Sequence, residues 1–259
     1  MSVVPVTPVR PPMFGAFSGE RGEMGGGLHG RVLDVLGHEI AAGTHPPGSV
    51  LRTDEVEQRF GISRSVAREV VRSLASIRLV VGRQRVGNVV RPREEWNAFD
   101  PQLIRWLLAA DRTAQLKTLA ELRTAVEPMA AAAAAQRAAD EDAARLVALS
   151  ERMVATARSG DLETFMAADV EFHRLVLRAS GNEMFAQLHE VVEELLTWRA
   201  GHGLMPEHPR PVAVRLHCEI AECIRSGDRA RAEEAMRELV AEALEGTLSG
   251  LAGAQAGAR

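Results

Sequence analysis

Residues 60–90 run FGISRSVAREVVRSLASIRLVVGRQRVGNVV. Positions 59–93 hold nine arginines and one acid, Glu69, in a chain of 259 residues whose formal net charge is −4. Gly61 stops a short helix over Thr53–Phe60, with Thr53 as its N-cap, and Ser63 caps a second helix reaching about Ile77. On that second helix Arg64, Arg68 and Arg72 recur every fourth residue, a stripe within about 80° of arc at 100° per residue. Val66, Val70, Leu74 and Ile77 fall on the other side. One face is therefore fit to pack while the other offers guanidinium groups to solvent or to a partner.

Beyond this helix come Leu79-Val80-Val81, the polar GRQR, then Val86-Gly87-Asn88-Val89-Val90 before Pro92. Two short β-branched runs around a polar turn predict a small hairpin. Two helices joined by a tight turn and followed by a basic hairpin make a winged helix-turn-helix. Its second helix fits a DNA major groove, where arginine pairs bidentately with guanine, and Arg83, Arg85 and Arg91 would meet phosphates or the minor groove. A solvated basic face without a partner is the bland alternative, and the coincidence of charge with the helix-turn-helix pattern weighs against it.

The charge is divided along the chain: residues 1–93 carry a balance of +5 and the remainder −9. This predicts two domains with different partners. Residues 1–24, rich in Pro, Gly and Ser, read as a flexible tail. The winged helix spans 25–92, a linker or hinge helix 93–112, and a helical domain 113–248, with a second tail at 249–259. Helical periods cover roughly 99–110, 113–138, 140–159, 161–180, 182–204, 209–226 and 228–248, with Gly160, Gly181, Gly203 and Gly227 as stops. The fold class is mostly α, an N-terminal winged helix-turn-helix with a β-hairpin wing plus a C-terminal all-α antiparallel bundle. No apolar run approaches the ~18 residues of a membrane span, and the Pro-broken N-terminus lacks a secretory core, so a cytoplasmic location is expected. Cys218 and Cys223 are spaced five apart on a helix and do not share a face, which argues against a disulfide framework.

The acidic half places charge where helices should be apolar. Asp169 and His173 stand at i and i+4 among Phe165, Phe172 and Val176. His217 is centred among Ala213, Ile220, Ala221 and Ile224, and Arg123 and Glu127 share a face with Leu116, Leu119 and Ala130. Unpartnered burial of such groups costs several kcal/mol, so they are expected to converge on one another or on a ligand. One Asp and two His can form a facial metal site with open positions. A hydroxy acid could fill those positions, with Arg123 clamping its carboxylate. Taken singly, each feature is also an ordinary helical ion pair or a satisfied core histidine.

Residues 28–92 resemble the N-terminal domain of the GntR family of bacterial transcription regulators, on the strength of FGISRSVAREVVRSL (60–74) and GRQRVGNVV (82–90). The resemblance implies DNA contacts from Arg52, Thr53, Ser63, Arg64, Ser65, Arg68, Arg72, Arg83, Arg85 and Gly87, the last at the wing tip. The family often has Arg at the position of Asp54, and Arg52 lies nearby. Residues 115–245 are similar to the FadR-type (FCD) effector domain, through ELRTAVEPMAAAAA (121–134), DVEFHRLVLRASGNEMF (169–185) and LHCEIAECIRSGDRARAEEAMREL (216–239). Many members bind a metal through one Asp and three His. Asp169, His173 and His217 match three of these, and Leu239 stands at the fourth. A divalent zinc, nickel or manganese ion is thereby implied, with Arg123, Asp169, His173, Asn182 and His217 as effector residues, or else a metal-free, acyl-CoA-responsive site. His189, His202 and His208 have no spacing that argues for a fourth ligand. The joint REEWNAFDPQLIRW (93–106) is similar to linkers of sugar-acid regulators, with Pro101 opening a helix and Trp96 and Trp106 docking the domains.

The expected function is a homodimeric repressor on a pseudo-palindromic operator, released by a small carboxylate such as gluconate or galactonate. A metal-dependent enzyme built on the Asp-His-His set is the rival, but such triads sit on β-sandwich folds and no strand pattern follows Trp96, so no catalysis is expected.

Overall fold

A computed structural model describes residues 27–202 and 208–257. The tail expected at 1–24 and the stop at Gly203 lie outside the described residues. The order is α1 (Leu28–Ala41), β1 (Val50–Leu51), α2 (Thr53–Phe60), α3 (Arg64–Ser76), β2 (Val80–Arg83), β3 (Gly87–Val90), a 3-10 turn (Arg93–Glu95) and α4 (Pro101–Ala110). Then follow α5 (Arg112–Arg137), α6 (Asp140–Ser159), α7 (Leu162–Ala179), α8 (Glu183–Gln187), α9 (His189–Gly201), α10 (Pro211–Ser226) and α11 (Arg229–Gly257). The architecture is the expected one, a winged helix-turn-helix followed by a helical domain.

The α2–α3 turn follows its sequence closely. Gly61 takes the left-handed conformation at φ 61°, and the Ser63 hydroxyl accepts from the Val66 N–H at 3.4 Å. Val70 and Leu74 are fully buried with Val32, Leu36 and Ile40 of α1. Thr53 is the first residue of α2, and Arg52 occupies the cap position expected for Thr53 without a side-chain capping bond. Asp54 and Glu55 sit in the first turn, where negative charge suits the positive end of the helix. The wing is a three-stranded antiparallel sheet in the order β1-β3-β2, with Val50 opposite Val89 and Leu51 opposite Asn88. A two-residue strand is too short to show alternation, which is why the sequence predicted only the hairpin.

Asp100 caps α4 by accepting from the Gln102 and Leu103 N–H groups at 2.9 and 3.1 Å, and Pro101 opens the helix as expected. The two sides of α4 belong to different cores. Leu103, Trp106 and Leu107 pack with the winged helix, while Ile104 and Leu108 pack with Leu116, Leu119, Val191, Leu195 and Trp198 of α5 and α9. Trp96 packs against the winged-helix core and donates from Nε1 to the Arg91 carbonyl at 3.0 Å. Both tryptophans thus fix the joint to the N-terminal side, and the opposite face of α4 makes the second dock.

The C-terminal domain buries Ala130, Ala131, Ala134 and Ala135 of α5 against α11, where Ala232, Ala235 and Met236 are fully buried. Small side chains on both helices permit this close approach. The helix expected over 182–204 is broken at Leu188 into α8 and α9. The last helix continues to Gly257 where a frayed tail after 248 was expected. No described helix is long and apolar enough to cross a membrane.

Candidate nucleic-acid interface and ligand cavity

The N-terminus of α3, the start of α2 and the wing surround one open concave surface. Arg52, Thr53, Asp54, Glu57, Arg64, Arg68, Arg83, Arg85 and Gly87 line it together. Arg64 Nε lies a loose 3.9 Å from Glu57, and Arg72 Nη1 is held by Glu69 at 2.6 Å. Arg91 turns away to Glu95 at 2.6 Å, so it stabilises the wing base and does not join the expected set. Arg85 has φ 62°, a left-handed conformation that costs a branched or long side chain energy and here projects the residue at the wing turn. Gly87 has φ +122°, and a Cβ there would lie 2.9 Å from Val50 Cγ1. It is the first residue of β3, one position beyond the turn.

In the helical domain, Arg123, Asp169, His173, Leu196, Arg199, His217, Leu239 and Glu242 line a cavity partly open to solvent. α5, α7 and α10 supply its polar floor. His217 Nδ1 donates to the Ala213 carbonyl at 2.7 Å, which fixes the proton on that nitrogen. Its Nε2 lies 2.9 Å from Asp169 Oδ1 and is buried without a hydrogen-bond partner among the described residues; it offers a lone pair when the ring is neutral and a countercharge to Asp169 when the ring is protonated. Two acceptors facing each other at this distance repel unless a proton or a metal ion lies between them. His173 Nδ1 is 2.5 Å from Glu127 Oε2, and its Nε2 lies 3.7 Å from Asp169 Oδ1 and 3.3 Å from Arg123 Nη2. A carbonyl on one ring nitrogen with the other left without a partner, as in His217, is the arrangement of metal-ligating histidines. The donor atoms of Asp169, His173 and His217 lie within 4.8 Å of one another. The residues present therefore fit a divalent cation.

Arg123 is committed elsewhere than expected. Its Nε donates to Glu127 Oε1 and its Nη2 to Oε2 at 3.2 Å, both residues being fully buried. Burial opposes the charge on Glu127, but the Arg123 and His173 charges outweigh it and hold the carboxyl at about 2. Burial also pushes the Asp169 carboxyl up, and the His217 contact with the His173, His217 and Arg123 charges brings it below its ordinary value. Asn182 is outside the cavity and is corrected as an effector residue: its side chain caps α8, accepting from the Met184 and Phe185 N–H groups at 2.9 and 3.4 Å. His189, His202 and His208 are also outside, and Leu239 fills its place in the lining with an apolar side chain. Glu127 and Arg199 complete the buried polar set. Glu127 was legible in sequence only as the helical partner of Arg123, and Arg199 was not singled out.

Residues 28–90 match the model of the bacterial regulatory proteins of the gntR family, and residues 118–242 that of the FCD domain. The chain is 32% identical to the galactonate operon transcriptional repressor of Escherichia coli, over 82% of this chain and 93% of that protein. This chain belongs to the GntR family. As a member it is a DNA-binding transcriptional regulator with an FCD domain. The probable D-xylose utilization operon transcriptional repressor of Paenarthrobacter nicotinovorans is 28% identical over 84% of this chain and 87% of its own. Among solved structures, Lar, which controls expression of the Listeria monocytogenes agr system, is similar in fold, with TM-score 0.52 and 17% identity over 86% of this chain and 98% of that one.

Proposed function

We propose that this GntR-family regulator represses transcription as a homodimer on a pseudo-palindromic operator and is released by a small sugar-acid-like carboxylate bound in the helical cavity. The observation that carries this reading is the His217 Nε2, buried beside Asp169 in the cavity without a hydrogen-bond partner among the described residues, with His173 close by. Folding gains nothing from a buried polar atom left without a partner, which supports a ligand or cation at this place. The resemblance to a galactonate operon repressor supports the ligand class.

On the DNA side, Arg64, Arg68 and Arg72 would read base edges from α3, while Arg52, Thr53, Ser63 and Ser65 would hold phosphates near its N-terminus. Arg83 and Arg85 would follow the backbone or minor groove, with Gly87 shaping the wing. In the helical domain, Asp169, His173 and His217 would hold a divalent cation of the zinc, nickel or manganese type, whose Lewis acidity would serve ligand hydroxyl and carboxylate oxygens. Arg123 fixes Glu127, Glu127 fixes the His173 ring, and the Ala213 carbonyl fixes His217. Release requires only that the ligand favour a domain arrangement unfit for the operator; α4, packed into both cores, is the element through which that preference would pass.

The test is a fluorescence-polarisation titration on DNA from the upstream region of the chain's own gene, with D-galactonate and D-gluconate, each with and without chelator. Salt-dependent binding reversed by a sugar acid and restored by chelator is expected. Release by acyl-CoA alone, or sugar-acid release indifferent to chelator, would overturn the ligand and metal assignments.

A further inference from the structure

We infer that Arg199 of α9, and not Arg123, is the residue that anchors the ligand's carboxylate. The inference rests on the cavity being the ligand site.

Three arginines reach the cavity, and two are spoken for. Arg123 is bound at two points by Glu127. Arg210, half exposed at the mouth, holds Glu242 at 2.9 Å. Arg199 is 7% exposed, and its Nε has no hydrogen-bond partner among the described residues. Its charge is felt by Asp169 and Glu242 only at a distance. Burial and the neighbouring Arg123 charge depress its guanidinium to about 10, still protonated near neutral pH. A buried guanidinium that forms no ion pair among the described residues is costly, and it persists where a partner arrives from outside.

Position agrees with charge. Arg199 lines the cavity beside Leu196 and His217, and it also borders an adjoining apolar recess with Leu116, Leu195 and Val240. Its fork suits two-point recognition of a carboxylate. The cavity thus separates a cationic anchor from a cluster of acceptors, Asp169 Oδ1 and the two histidine Nε2 atoms. A neutral polyol would satisfy only the acceptors. An organic acid carrying hydroxyls satisfies both, which makes Arg199 the determinant of acid over polyol.

The experiment compares full-length wild type, R199K and R199M by calorimetric titration and thermal unfolding. The probes are D-galactonate, D-gluconate, lactate and acetate, with the neutral polyol galactitol. Wild type should bind at least one acid and prefer galactonate to galactitol. R199M should lose roughly tenfold to a hundredfold in affinity for that acid, leaving galactitol unchanged, with R199K intermediate. The unliganded melting midpoint of R199M should be no lower than wild type, because an unpaired buried charge has been removed. Equal acid binding by wild type and R199M, across the whole set, overturns the inference. So does a collapse of the unliganded R199M midpoint, which would make Arg199 a structural ion partner. Acid binding that needs Arg199 but leaves operator DNA bound would instead overturn the repressor reading and keep the anchor.

Discussion

Trp106 Nε1 donates to Asp34 Oδ1 at 3.2 Å, linking α4 to α1 across 72 residues of sequence. The same carboxylate oxygen accepts from Gln102 Nε2 at 3.2 Å. Trp106 is 1% exposed and its ring lies on the backbone of Gly37, where a Cβ would collide with three ring atoms. A glycine was needed there for close approach, since helical glycine is otherwise unfavourable by about 1 kcal/mol. Gly37→Ala should therefore destabilise the protein although alanine is the better helix former. Trp106→Ala should cost about 3–5 kcal/mol. Chemical denaturation with a tryptophan-independent probe checks both, and a Gly37→Ala protein more stable than wild type would contradict the packing.

Gly87→Ala meets two obstacles, the positive φ and Val50 Cγ1 at 2.9 Å. A loss of about 1–3 kcal/mol is expected. Val50→Ala should rescue part of it by removing the contacting methyl. Coupling between the two substitutions in a double-mutant cycle is the measurement, and strict additivity would place the wing strands differently.

The arginines of α3 are not equivalent. Arg72 is held by Glu69 and Arg64 only loosely approaches Glu57. Arg68→Ala should weaken operator binding by about 1–3 kcal/mol, and Arg72→Ala by less. Arg64→Glu should abolish binding while shifting stability by no more than about 0.5 kcal/mol, as for an exposed site. Polarisation titrations on operator DNA decide this.

Glu127 releases its proton far more readily folded than unfolded, with a folded value of about 2 against an ordinary 4.5. The folded state is thus favoured while the carboxyl is ionised. That stabilisation is complete above about pH 4.5 and disappears as pH falls through about 2. Asp169, also lowered, acts in the same direction. Glu127→Gln should flatten the stability profile between pH 5 and 2 and leave Arg123 buried without its countercharge, costing about 3–5 kcal/mol at neutral pH. Urea melts across that range test it; a profile as steep as wild type would assign the acid sensitivity to other groups.

Much of this was legible because the relevant residues are local. The Arg64–Arg68–Arg72 stripe, the Gly61 turn and the Ser63 cap are separations of a few residues on one helix, and helical geometry alone relates them. Asp169 and His173 are likewise an i,i+4 pair, and only His217 had to be brought from another helix. What sequence hid was competition among partners. Nothing in the spacing of Arg123 told that Glu127 would take the Nε and Nη2 edge of its guanidinium, or that Asn182 would spend its side chain on the α8 N–H groups. Arg199 lies at the end of EELLTWRA (193–200), where an arginine ordinarily reaches water and the helix C-terminus. Its burial depends on α5 and α11 closing over it.

That α4 fills two cores has a practical corollary for anyone dividing or recombining this chain. A fragment ending at Val90 would leave Leu33, Leu36 and Gly37 facing the void left by Trp106, and it should be prone to aggregate. Grafting the DNA-reading half onto a foreign sensor calls for a cut at Asp111, with α4 carried along and its Ile104–Leu108 edge rebuilt for the new neighbour.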